Sequence, residues 1–118
     1  MHTTIKIKKA EARHLINATF PDWKGRKIQV DVSGVVYLCN LNWDGGSRSQ
    51  FRACTLEGRR TGSMDSYNQT APWLHEAEGA KINIPEGHCV IRHSICMGKD
   101  CGLTIHINPN DAPKWIEG

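Results

Sequence analysis

Leu41-Asn42-Trp43-Asp44-Gly45-Gly46-Ser47-Arg48-Ser49 carries the tightest turn signal in the chain, and its reading decides the fold. Before it, Val35 to Leu41 is a run of β-branched and aromatic residues suited to a central strand. After it, Ser47 to Leu56 alternates, with Phe51 and Ala53 set against Arg52 and Cys54. Consecutive glycines supply the positive φ that hairpin turns need. The stretch is therefore expected to be the tip of a central hairpin joining those two strands.

Working outward, Lys27 to Val32 alternates cleanly, with Ile28, Val30 and Val32 on one face. Ser33-Gly34 makes a tight turn. Lys8 to Ala18 is the one convincing helix, because Ala12, Leu15, Ile16 and Thr19 recur at helical spacing. Pro21 bars the helical conformation at Phe20, so the helix ends by Thr19, and Phe20 and Trp23 then plug the edge of the core. Thr3 to Ile7 reads as a short strand or an extended lead-in. Toward the C-terminus, Ala80 to Ile84 reads as a strand, and His88 to Ile95 with Leu103 to Ile107 as a second hairpin. Glu57 to Arg60 reads as a turn, and residues 61–79 are the least regular part. A loop of that length is usually functional or mobile, and Tyr67, Trp73 and His75 would line it unless Trp73 and Leu74 simply pin it to the core.

The fold class that follows is α+β or mostly β. One N-terminal helix packs on a curled antiparallel sheet of about six or seven strands, forming a half-barrel or small barrel. At 118 residues, spanning 1–118, this is one domain, long enough to bury a core without staples.

Composition narrows the function classes. No run approaches the length of a membrane span, and Met1 to Lys9 has charges but no apolar core, so a cytoplasmic chain is expected. The net charge is +3, yet residues 1–27 hold seven Lys/Arg against two acidic residues. Such an arm suits phosphates or an acidic partner, or is a solvated helix face. A pI near 8.7 falls short of a strongly basic nucleic-acid binder. Five cysteines, an odd number, read as reduced thiols in a reducing compartment.

Three places attract chemistry. At the turn, Trp43, Gly45, Gly46, Ser47 and Arg48 gather a stacking face, approachable amides, a hydroxyl and a guanidinium. Arg52, four residues on, extends the same face. The set suits a phosphate, a nucleotide or a carboxylate, although no Walker or dinucleotide-binding motif is present. The plainer alternative is a hairpin turn with a solvated arginine. Second, His88, Cys89, His93, Cys96, Cys101 and His106 suggest zinc by composition. Cys89 and His93 would lie about 13 Å apart on a strand, too far for one ion. Cys96 and Cys101 could meet with His93 or His106, which one register makes cross-strand neighbours. Core thiols and surface histidines are favoured over that, so no metal and no cofactor are assigned. Third, Asp44, Asp65, His75 and His106 offer acid–base groups, but no triad or paired-carboxylate signature appears, and a non-enzymatic role is favoured.

Phe20-Pro21-Asp22-Trp23-Lys24-Gly25-Arg26-Lys27, Trp43 to Ser49 and Met97 to Pro109 together resemble small bacteriophage-encoded proteins of unassigned function. That resemblance carries no activity or site residues. It implies an accessory protein made in the host cytoplasm that binds a host protein or a host signalling nucleotide. The leading expectation is therefore a binding module for a phosphorylated or nucleotide-type ligand. The alternatives are a protein-interaction module that inhibits a host protein, and a structural or self-assembling phage protein. Self-association through a sheet edge stays open.

Overall fold

A computed structural model describes residues 4–39, 41, 47–63, 79–96 and 99–116. Among these, the chain forms β1 (Thr4–Ile7), a 3-10 turn at Lys9–Ala12, α1 (Arg13–Thr19), β2 (Ile28–Asp31), β3 (Val35–Tyr37) and β4 (Ser47–Thr55). There follow β5 (Arg60–Ser63), β6 (Lys81–Asn83), β7 (His88–Cys96), β8 (Lys99–Ile107), a 3-10 turn at Pro109–Asp111 and α2 (Pro113–Ile116). The result is mostly β, with one short helix on a larger sheet.

That sheet has six strands in the order β1-β2-β8-β7-β4-β5. Its centre is built from the three nine-residue strands β4, β7 and β8, which present long ladders to one another. The β7–β8 hairpin closes with Cys96 opposite Lys99, so the second expected hairpin forms. It begins its return strand four residues earlier than the sequence reading placed it.

Three expectations are corrected. The sheet is mixed rather than antiparallel, because β2 runs parallel to β8. It does not close into a barrel: β1 and β5 are its outer strands and do not pair with each other. Among the described residues the central hairpin does not form either, since β3 pairs with β6 while β4 pairs with β5 and β7. The reason is burial. Strands of the main sheet carry apolar residues on both faces, so each face needs its own covering layer. α1 covers one. The β3–β6 ribbon covers the other, laying Val36, Leu38, Ile82 and Ile84 on Phe51, Ala53 and Val90. Meanwhile β7 offers β4 nine facing positions, far more than a three-residue β3 can provide.

On the helix side, Ala12, Leu15 and Ile16 meet Ile28, Val30, Cys54, Cys89, Ile91, Leu103, Ile105 and Ile107. Each large side chain fully buried here contributes roughly 1.5–3 kcal/mol. α1 ends as its sequence requires: the Phe20 amide donates to the Ile16 carbonyl at 2.7 Å, and Pro21 turns the chain away. Phe20 and Trp23 are buried beneath the turn, as expected of core-edge plugs.

Two glycines let backbones touch. Gly102 (φ +101°) sits where Cys101 and Gly102 of β8 together oppose Ser94 of β7. A Cβ there would stand 2.6 Å from the Lys27 carbonyl oxygen, which accepts the Leu103 amide at 3.0 Å and brings β2 alongside. Gly34 (φ +81°) turns β2 into β3, and a Cβ there would stand 2.7 Å from Pro109.

Candidate functional site

The strand period of β4 places Arg48, Gln50 and Arg52 on the helix side of the sheet. Opposite Gln50 stands His93 of β7. The segment leaving α1 then folds over this polar strip, and a cleft of about 240 Å³ opens between Phe20, Pro21, Asp22, Trp23, Gln50, Arg52 and His93.

Its walls are fixed by specific contacts. Arg52 donates through Nη1 to the carbonyl of Thr19, at the C-terminal end of α1, where exposed carbonyls favour a cation. The same guanidinium lies over the Phe20 ring, 4.4 Å from its centroid. Phe20 in turn meets His93 edge-on, with ring centroids 5.3 Å apart at 67°. Lys9 places its ammonium 5.8 Å from the Trp23 ring centroid. Aromatic packing thus holds both a guanidinium and an imidazole in place. Trp23 Nε1 is buried with no hydrogen-bond partner among the described residues, an unmet donor beside the cleft. The acidic member, Asp22, is exposed. Such a site can set a cationic fork and aromatic walls against a small anionic or planar group.

No protein-family model, no curated protein and no solved structure matches this chain.

Of the residues expected to form a site, Arg52 lies in the cleft. Arg48 shares its face, half-buried, but four residues along a strand is about 13 Å. Both arginines therefore belong to the same polar strip of β4. Trp43, Gly45 and Gly46 lie outside the described residues, as does the side chain of Ser47. Asp44, Asp65, Tyr67, Trp73 and His75 lie outside them too. Reading the sequence did not bring Gln50 and His93 to this place. Their pairing is a matter of strand register, and only the alternation that carries Arg52 inward hinted at it.

The histidines and cysteines are dispersed. His93 stands opposite Leu103, and His106 opposite Val90, so the two histidines are not cross-strand neighbours and face opposite sides of the sheet. Among the described residues no cluster of three His, Cys, Asp or Glu could hold a metal ion. The side chains of Cys96 and Cys101 lie outside that set. His106 is no surface residue either. Its Nδ1 meets Asp31 Oδ2 at 2.9 Å, and its Nε2 is buried with no partner among the described residues. Ser33 donates to the same carboxylate through its amide (3.2 Å) and its hydroxyl (3.1 Å). Burial alone raises the Asp31 pKa, but the hydrogen bond and charge of His106, with the two Ser33 donors, outweigh it and hold the carboxyl at about 2. This trio looks like acid–base machinery, yet the imidazole nitrogen that would act is closed off from solvent. It ties β2 to β8.

Proposed function

We propose that the protein is a non-enzymatic binding module for a small phosphorylated or nucleotide-type ligand, seated in the cleft around Arg52 and His93. The observation that carries this reading is the guanidinium held against Phe20 at the mouth of an aromatic-walled hollow. Arginine presents five N–H donors in a planar fork that matches a phosphate, and a ring can lie along Phe20 or Trp23. Gln50 and Asp22 supply an amide and a carboxylate for the edge of a planar group.

Size limits the ligand. Pockets that enclose drug-sized molecules span roughly 300–1,000 Å³. A cleft of about 240 Å³ therefore takes a phosphate with part of its ring or sugar and leaves the remainder outside. Basic residues of the first 27 positions would draw an anion toward it. The bacteriophage resemblance makes host signalling nucleotides the first class to examine.

Calorimetry against nucleoside mono- and diphosphates, cyclic nucleotides and inorganic phosphate is the test. Saturable binding by wild type, weakened at least tenfold in Arg52→Gln, is the expected result. A folded protein that responds to no member of the panel overturns the reading. A second reading, a module that binds a host protein, draws on β1, which is paired on one edge only among the described residues. Recovery of one defined bacterial protein, lost when a proline is placed in β1, would favour it.

A further inference from the structure

Cys54 and Cys89 stand directly opposite each other on β4 and β7, with their sulfur atoms 3.3 Å apart. Both are fully buried free thiols in the helix-side core, surrounded by apolar side chains. Directly opposed residues of an antiparallel pair have Cα atoms about 4.5–5.5 Å apart, within the roughly 4.4–6.8 Å that a disulfide spans. Their side chains already point at each other, so bond formation needs no change of register.

We propose that Cys54 and Cys89 form a redox pair that hydrogen peroxide converts into a cross-strand disulfide. One thiol loses its proton and attacks a peroxide oxygen; the O–O bond breaks, leaving a sulfenic acid and one water. The second thiol attacks the sulfenic sulfur, the S–O bond breaks, and a second water leaves. Two thiols are oxidised by two electrons in all, and one peroxide is reduced to two waters. Peroxide is small enough to reach a core that excludes larger disulfide reagents.

The reaction is slow in the closed fold. The hydrogen bond to Cys54, and then burial, push the Cys89 thiol well above its ordinary value, so little thiolate is present. Thiolate formation therefore sets the pace of the reaction. Cys39, by contrast, is only half-buried.

The experiment treats the whole folded chain with excess hydrogen peroxide over a time course. Remaining thiols are then labelled with maleimide in denaturant, and the linked peptides are mapped by mass spectrometry. The expected result is the paired loss of two thiols, a peptide joining Cys54 to Cys89, recovery on reduction with dithiothreitol, and absence of that peptide in Cys54→Ala. Recovery of Cys54 and Cys89 both labelled after prolonged treatment overturns the proposal. So does their conversion to sulfinic or sulfonic acids, or linkage to other cysteines instead. Should Cys54→Ala fail to fold, the wild-type peptide map decides alone.

Discussion

The two faces of the six-stranded sheet treat their polar residues differently. Under the β3–β6 ribbon, polar groups are consumed by one another: Asp31 binds His106 and Ser33, and Arg92 donates to Ser49 at 3.0 Å while lying over Phe51. Under α1, the helix stops at Phe20 and leaves Gln50, Arg52 and His93 lining an opening. The same strand alternation puts polar side chains on both faces. The length of the covering layer decides which of them are enclosed and which line an opening.

That contrast predicts a separation of effects, and the largest belongs to the closed face. Phe51 is fully buried at its centre. Phe51→Ala should cost about 3–5 kcal/mol, read as a lowered urea midpoint. Gly102 comes next. Alanine there would meet the Lys27 carbonyl and need a positive φ, so Gly102→Ala should cost about 2–4 kcal/mol. A loss under about 0.5 kcal/mol in either variant would mean that its surroundings relax freely, and the picture of a tightly closed sheet would fail.

Asp31 sharpens the comparison through pH. Its folded value, about 2, lies below the ordinary 3.8, so its contribution is present above about pH 4 and is lost as pH falls toward 2. After allowance for solvent screening the contribution is about 1–2 kcal/mol. Asp31→Asn should flatten that acid limb of the stability–pH curve while leaving ligand binding unchanged. An equally steep limb in the variant would contradict the assignment.

The open face should show the reverse pattern. Arg52→Gln should shift stability by about 1 kcal/mol or less, because the arginine is half-buried at the rim of the cleft and glutamine can still donate to the Thr19 carbonyl. The same change should weaken ligand binding at least tenfold. A large stability loss with unaltered binding would move Arg52 from the open class to the closed one.

Much of this framework was legible in the sequence, and the reasons for the rest are physical. The helix followed from Leu15, Ile16 and Thr19, and its end from Pro21, but Lys9 to Ala12, expected as its first turns, form a 3-10 turn instead. β2 and β4 followed from period-two alternation, and β7 and β8 from the hairpin read between His88 and Ile107. What alternation cannot report is the partner. Val35 to Leu41 and Ser47 to Leu56 both look like central strands with a turn between them, yet the competing ladder to β7 is longer and the second face needed cover. The parallel β2–β8 pair joins strands some 75 residues apart, beyond any local turn signal. β5 escaped notice because Arg60-Thr61-Gly62-Ser63 has no apolar alternation. Of the candidate site, Arg52 was anticipated on its own strand. The cleft itself was not, because Phe20, Trp23, Gln50 and His93 come from three separate elements and meet only through register.

Nuclear magnetic resonance titration of the ¹⁵N-labelled protein with the tightest-binding nucleotide of the panel tests the cleft most directly. The account predicts saturable shifts concentrated at the Trp23 indole N–H and at the amides of Gln50, Arg52 and His93, with Asp31 and His106 unmoved. Shifts confined to other parts of the chain, or none at saturating nucleotide, would contradict it.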